Sequence, residues 1–176
     1  MKTLLFVPGS LRAASASRAT VRALIRRLDG DVNAVVADVG LLPHYNADVT
    51  GDPAVAAWIA QVDAADGIVF VTPEYNYSVP GVLKNGIDWA SRPAYDSVFK
   101  DKKSLVLSVS GGALGGVRAQ AHLKQILNAM LGEVFVCKEI VIPNANTKVE
   151  NGILMDEAIL GFAEENLRAF VTSLEE

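Results

Sequence analysis

Thr3-Leu4-Leu5-Phe6-Val7 is an unbroken apolar run, and Pro8-Gly9-Ser10-Leu11-Arg12-Ala13-Ala14-Ser15-Ala16-Ser17-Arg18 follows it directly. A strand buried on both faces reads as such a run, without polar alternation. Past Arg18 the period changes. Val21, Leu24, Ile25 and Leu28 stand at i, i+3, i+4 and i+7, the buried face of a helix. Buried strand, glycine- and hydroxyl-bearing loop, then amphipathic helix is how a βαβ unit begins. The same run could be mistaken for a leader, because Lys2 precedes it. It stops at Pro8-Gly9, too short for the apolar core of a signal segment, and no stretch approaches a membrane span. The expectation is a soluble, cytoplasmic protein.

The alternation continues along the chain. Further strands are expected at Val32–Ala37, Ile68–Thr72, Leu105–Ser110 and Ile140–Ile142, all rich in Val, Ile and Leu. Between them, Val55, Trp58, Ile59 and Val62 mark a helix opened by Asp52-Pro53. Leu123, Ile126, Leu127 and Met130 mark another, with Gly132 as its stop. Ala163, Leu167, Phe170, Val171 and Leu174 mark a last one, opened by Asp156, and Val79–Ala90 also reads as helical. Glu150-Asn151-Gly152-Ile153 reads as a tight turn. Five strands alternating with five helices predict an α/β fold, a doubly wound parallel sheet with helices on both faces. Residues 1–176 are expected to form one domain, with no repeat or linker.

Composition narrows the function. Of the 176 residues 51% are hydrophobic and 20% charged, which excludes disorder as the default state. A formal net charge of -4 argues against nucleic acid as a partner. A single cysteine, Cys137, excludes an internal disulfide and fits a reducing compartment. With His44 and His122 it cannot build a zinc site of the usual kind, so no metal is expected. Both histidines read as structural, and Cys137, beside Val134-Phe135-Val136, as inert core. Charge is also segregated. Residues 1–30 carry six basic side chains and one acidic, whereas 149–176 carry one basic and seven acidic. Such runs read as solvated helix faces, or else as a basic region gathered around a phosphate.

In a doubly wound sheet the binding crevice lies beyond the carboxyl ends of the strands. The loop after the first strand carries Ser10, Ser15, Ser17, Arg12 and Arg18 and enters a helix N-terminus, where amides and dipole favour an anion. It lacks both the GxGxxG fingerprint and the Walker lysine. It reads as a phosphate cradle, or as a plain capped loop with Ser17 as N-cap. After the third strand, Pro73-Glu74-Tyr75-Asn76-Tyr77-Ser78-Val79-Pro80-Gly81 combines stiffening prolines with flat, hydrogen-bonding side chains, suited to a planar ligand or to a rigid turn. After the fourth, Ser110-Gly111-Gly112-Ala113-Leu114-Gly115-Gly116 offers backbone amides to a ligand, or is a flexible lead into a helix. No GxSxG elbow or HExxH motif appears.

Taken together, three segments carry a resemblance. They are Gly9-Ser10-Leu11-Arg12, then Pro73 to Asn85 with Ile87-Asp88-Trp89, then Gly111-Gly112 and Gly115-Gly116 running into Arg118-Ala119-Gln120. With Pro43-His44-Tyr45-Asn46-Ala47-Asp48, the chain over residues 3–142 resembles the NADPH-dependent FMN reductases, in particular their bacterial chromate and quinone reductase branch. The resemblance implies a flavodoxin-like five-stranded sheet of order 2-1-3-4-5 and FMN as cofactor. It places the FMN phosphate on Ser10, Arg12, Ser15 and Ser17, the isoalloxazine along Pro73, Glu74, Tyr75, Asn76 and Tyr77, and its other edge against Ser110, Gly111, Gly112 and Gly115. It also implies a homodimer or homotetramer, with Trp89-Ala90-Ser91-Arg92-Pro93 near the subunit interface. Two positions depart from the family pattern. Ser17 stands where asparagine is common, and Pro8 where a small polar residue is common, which removes a backbone donor.

The activity so implied is hydride transfer from NADPH or NADH through flavin N5 to small-molecule electron acceptors: quinones, azo compounds, metal oxyanions such as chromate, or free flavin. No side-chain nucleophile is required, so no catalytic residue is assigned. Arg12, Lys84 and Arg118 are the candidates for meeting the nicotinamide phosphates. The competing reading is a flavodoxin-like electron carrier without nicotinamide activity. The modest net charge of -4 counts against it, since carriers dock through strongly acidic surfaces.

Overall fold

Residue parity along the first apolar run decides how the molecule is layered. Leu4 and Phe6 are fully buried in one apolar cluster, while Leu5 and Val7 are buried in another. The structure, a computed structural model, describes residues 1–175. Its elements are β1 (Lys2–Pro8), α1 (Ala16–Arg27), β2 (Val32–Val36), α2 (Pro53–Ala64), β3 (Gly67–Pro73) and α3 (Gly81–Ala90). There follow β4 (Lys103–Val109), α4 (Val117–Ala129), β5 (Glu133–Val134), β6 (Ile140–Ile142), β7 (Val149–Glu150), β8 (Ile153–Leu154) and α5 (Glu157–Ser173). The sheet runs in the order β2-β1-β3-β4-β5, all parallel, with β6 also pairing β4. This is the flavodoxin-like order expected above.

The same parity carries through the sheet. Val69, Val71, Leu105, Leu107, Ile140 and Ile142 join the face covered by α1 and α5, through Val21, Leu24, Leu160, Leu167 and Phe170. Ile68, Phe70 and Val106 face Trp58 and Val62 of α2, Leu83 and Ile87 of α3, and Leu123 and Leu127 of α4. Each large side chain so buried contributes roughly 1.5–3 kcal/mol. Gln120 is a polar exception. Fully buried, it donates from Nε2 to Ser108 Oγ at 3.0 Å and to the Ile140 carbonyl at 3.1 Å, tying α4 to β4 and β6.

Several boundaries differ from expectation. The fifth strand is split. β5 pairs Glu133 and Val134 with Lys103 and Ser104, and β6 resumes with Ile140 opposite Leu107, so the edge spends six residues where β4 spends three. The excess leaves Val136 94% exposed and Cys137 only half-buried, not the core position expected. Burial still pushes the Cys137 thiol up, which keeps it unreactive. The α1 cap is Ser15 rather than Ser17. Its hydroxyl accepts from Arg18 N–H at 3.2 Å, and Ser17 lies inside the first turn. At the end of α4 the left-handed residue is Leu131 (φ 62°), and Gly132 N–H closes onto the Leu127 carbonyl. The Asn151-Gly152 turn is the tip of a small hairpin, β7–β8.

Charge segregation has a structural cause. Arg27 of α1 bonds Glu157 and Glu164 of α5, the latter at 2.9 Å, and Arg168 of α5 bonds Glu164 and, at 2.7 Å, Asp31. Lys2 pairs with Asp66, Arg18 with Asp38, and Arg22 donates to the Gly152 carbonyl. Half of the six basic N-terminal side chains, Lys2, Arg18 and Arg27, are therefore spent on acidic partners elsewhere in the fold. Arg12 is the one that lines a cleft at the carboxyl ends of the strands.

These pairs make stability depend on pH. The Arg27 hydrogen bond, followed by that of Arg168, holds the Glu164 carboxyl below its usual 4.5. Lys148, with the Ile159 N–H, likewise holds Asp156 below 3.8. A carboxyl depressed in the folded state stabilises above its unfolded value and loses that contribution as pH falls through the folded one. Glu164→Gln is expected to lower the urea midpoint at neutral pH and to flatten its decline between about pH 6 and pH 3. Parallel acid titrations of wild type and variant measure both effects.

Candidate functional site at the carboxyl edge of the sheet

Three loops meet beyond β1, β3 and β4, and their contact begins with a missing side chain. Gly9 donates to the Val71 carbonyl at 3.0 Å, and a β-carbon there would lie 2.9 Å from Pro73 Cδ and 3.3 Å from the Thr72 backbone. Only glycine lets the first loop lie this close to the third strand. Ser10, buried at the tip of this approach, shares a hydrogen bond of 3.0 Å with the Tyr75 hydroxyl, and Arg18 Nε donates to the Ser10 carbonyl.

At the start of α1 the first intrahelical bond joins Ala19 N–H to the Ser15 carbonyl, so the amides of Ala16 and Ser17 precede the ladder. The Ser15 and Ser17 hydroxyls, both buried, stand 3.2 Å apart. Together with Ser10, Arg12, Pro73, Glu74, Tyr75, Ser110, Gly111 and Asn146 they line a cleft of about 160 Å³. Hydroxyls, helix-start amides and an arginine are donors that could hold an anion. Its one carboxylate, Glu74, is already committed, so the donor set suits a phosphate.

Glu74 joins two walls of the site. Gly116, which precedes α4, has no side chain to cap that helix. The carboxylate of Glu74 does so from across the site, accepting from Arg118 N–H at 3.0 Å and Ala119 N–H at 3.4 Å. Arg118 Nη1 adds a bond of 3.1 Å to the other carboxylate oxygen. A charged acceptor at a helix N-terminus gains from both the free amides and the dipole.

Beyond Glu74 the chain turns tightly. Tyr75 and Ser78 exchange two backbone hydrogen bonds, with Asn76 (φ 47°) and Tyr77 (φ 67°) both left-handed between them. A bulky residue in that region is strained, and α4 holds the turn in place. Arg118 Cζ sits 4.4 Å above the Tyr77 ring, and His122 Nδ1 shares a 3.0 Å hydrogen bond with Ser78 Oγ. His122 is thus structural, as expected. Asn76, Tyr77, Glu74, Ser110, Gly112, Leu114, Gly116 and Arg118 line a second cleft of about 400 Å³, which shares Glu74 and Ser110 with the first.

Twelve of the thirteen expected site residues therefore line one cleft or the other. Gly115 does not. It is buried behind the loop (φ 60°), where a β-carbon would overlap Val141 Cγ1 at 2.2 Å. Asn146, Gly116 and Leu114 line the clefts without having been expected. Loop membership could have pointed to the latter two, but nothing local marks Asn146. Among the cations proposed for nicotinamide phosphates, Lys84 is paired with Asp88 at 2.6 Å, and Arg118 is held by Glu74 and Tyr77. The Pro43–Asn46 motif proves to be scaffolding. Asn85 and Trp89 of α3 donate to the Pro43 carbonyl, Asn85 Oδ1 accepts from Tyr45 N–H, and Tyr45 packs edge-on to Trp89. His44 of that segment is exposed.

The model of the NADPH-dependent FMN reductase family matches residues 1–147. An NAD(P)H-dependent FMN reductase of Pseudomonas aeruginosa is 37% identical over 170 residues, covering 94% of this chain and 91% of the relative. A quinone reductase of Escherichia coli is 41% identical over 172 residues, covering 92% and 89%. Among solved structures, the flavoenzyme NAD(P)H:(acceptor) oxidoreductase FerB of Paracoccus denitrificans superposes with a TM-score of 0.89 at 31% identity, covering 99% and 98%.

The Glu74 clamp is open to measurement. Glu74→Ala removes a cap and an ion pair and is expected to cost about 1–2 kcal/mol in urea unfolding. Glu74→Gln, which keeps an acceptor for the α4 amides, is expected to lose less than half of that.

Proposed function

We propose a function from one established premise, that this chain belongs to the family of NADPH-dependent FMN reductases. It is an FMN-dependent NAD(P)H oxidoreductase. The finer reading is that its acceptors are quinones first, with azo compounds, chromate-like oxyanions and free flavin as permissive alternatives. One observation carries this reading: the donor-lined cleft at α1 adjoins, across Glu74 and Ser110, a wider cleft walled by Asn76, Tyr77 and the glycine loop. A tail phosphate and a flat ring system need such a pair of compartments. Relatives named quinone reductase and 2-hydroxy-1,4-benzoquinone reductase support quinones as the leading class.

In this reading Ser10, Arg12, Ser15 and Ser17 hold the FMN phosphate together with the free amides of α1. Pro73 to Tyr77 would line the ring system, and the Gly111 amide would be available to its electron-rich edge. Bound FMN supplies the two-electron chemistry, accepting hydride from nicotinamide and passing electrons to the acceptor. The residues supply placement. Glu74 and Arg118 fix the spacing of the two walls, and the prolines of the β3 loop limit its movement. No proton donor is required of a side chain, so a range of flat acceptors can use the same opening.

A homodimer or homotetramer belongs to the same reading. The exposed Leu41 and Tyr95 support it, flanking in sequence the Tyr45–Arg92 pair on the α3 side. So does a cytoplasmic location, where nicotinamide nucleotides are supplied. Among the described residues no helix is long and apolar enough to cross a membrane.

Two measurements test the reading. FMN-loaded protein mixed anaerobically with one equivalent of NADPH, then of NADH, is expected to lose its flavin band near about 450 nm rapidly. A band bleached only by dithionite would instead favour an electron carrier. Arg12→Ala is expected to weaken FMN binding about 10- to 100-fold, the worth of a hydrogen bond to a charged group, whereas Lys84→Ala leaves it unchanged. Fluorescence titration of the apoprotein measures both.

A further inference from the structure

The donor-lined cleft has a polar wall that no loop motif announces. Asn146 lines it with Ser10, Arg12, Ser15 and Ser17. It also borders a neighbouring cavity of about 380 Å³, shared with Arg12, Ala14 and Val149, so it stands with Arg12 where the two spaces meet. The backbone around it is fixed. Asn144 N–H donates to the Gly112 carbonyl at 3.1 Å, and Ala145 N–H to the Ser110 carbonyl at 2.9 Å. Ala145 is fully buried, and the Thr147 hydroxyl closes the turn onto the Asn144 carbonyl at 2.9 Å. The Asn146 carboxamide itself bonds no protein group among the described residues. Asn146 is exposed, so its amide is free of the protein and within the lining of the cleft, on a backbone that is held.

Gly111 shows what keeps that amide in place. Its backbone is not left-handed, so glycine is not demanded by φ. What the missing side chain leaves is room for the movable end of Asn146. A β-carbon at residue 111 would lie 2.5 Å from Asn146 Nδ2 and 3.1 Å from Cγ. The glycine loop thus makes room for a side chain from beyond β6.

We propose that Asn146 is a ligand of the flavin phosphate, its Nδ2 group donating to a phosphate oxygen, and that Gly111 is small in order to admit it. The proposal rests on the FMN reading above. A carboxamide fits the role: it donates without charge, where Arg12 already supplies charge, and phosphate oxygens only accept. The resulting contact would join the segment after β6 to the α1 cradle through the cofactor tail.

The test titrates apoprotein with FMN and with riboflavin, which lacks the phosphate, following flavin fluorescence. Asn146→Ala is expected to weaken FMN about tenfold and to leave riboflavin unchanged. Asn146→Asp, placing a like charge beside the phosphate, is expected to weaken FMN further, with the loss shrinking as salt rises. Gly111→Ala should reproduce the Asn146→Ala loss, and the double variant should be no weaker than either single one, because both act through one contact. Wild-type FMN affinity in both Asn146 variants would overturn the proposal. So would equal losses for FMN and riboflavin, which mark a disturbed loop or a destabilised fold rather than a phosphate contact. Failure of the wild-type chain to bind FMN at all would overturn the family reading instead.

Discussion

β3 is buried along its length between two parallel neighbours and two layers of helix, and the rest of the molecule is arranged around that burial. Ile68, Val69, Phe70 and Val71 have no exposed surface, so each neighbour must satisfy backbone groups that water cannot reach. Parallel pairing with β1 and β4 does this, and it sends every strand out of the sheet in the same direction. The loops that follow cannot avoid one another. Gly9 is the consequence at closest range, since the first loop must cross the start of the third within van der Waals contact.

Convergence alone would leave three mobile loops. Glu74 converts them into a site, because its carboxylate is the cap that α4 lacks and the counter-ion that Arg118 needs. One side chain thereby sets the distance between the ring-lining turn and the glycine loop. The left-handed Asn76-Tyr77 turn is itself held from α4 by Arg118 and His122. Chemistry performed by a bound cofactor asks the protein for this kind of placement more than for reactive groups.

Charge is organised by the same topology. α1 and α5 cover one face of the sheet, so the basic first helix meets the acidic last one, and Arg27, Arg168 and Glu164 interlock across sequence distances of more than a hundred residues. Half of what looks along the chain like a basic region, Lys2, Arg18 and Arg27, is a set of partners for carboxylates. Arg12 is left to the donor-lined cleft because the short first loop carries it past the end of β1 and away from the α5 carboxylates.

The chain by itself determined most of the architecture, through signals that are local. The unbroken runs at Thr3–Val7, Ile68–Thr72 and Leu105–Ser110 announce strands buried on both faces, and the 3.6-residue spacings announce the helices between them. The loops bearing Ser10, Arg12, Ser15 and Pro73 to Tyr77 stood out in the same way, although their composition alone also allowed a capped loop and a rigid turn, and it was the resemblance that singled out those residues. Tertiary structure decided what depends on distant partners. The split of the fifth strand follows from its register on β4, the burial of Gly115 from its fit against Val141, and the capping role of Glu74 from an α4 that begins 43 residues later. Asn146 reaches the cleft only because Asn144 and Ala145 bond back to the glycine loop. Periodicity and turn chemistry act over a few residues, whereas a contact across the sheet edge exists only once the strands between have paired.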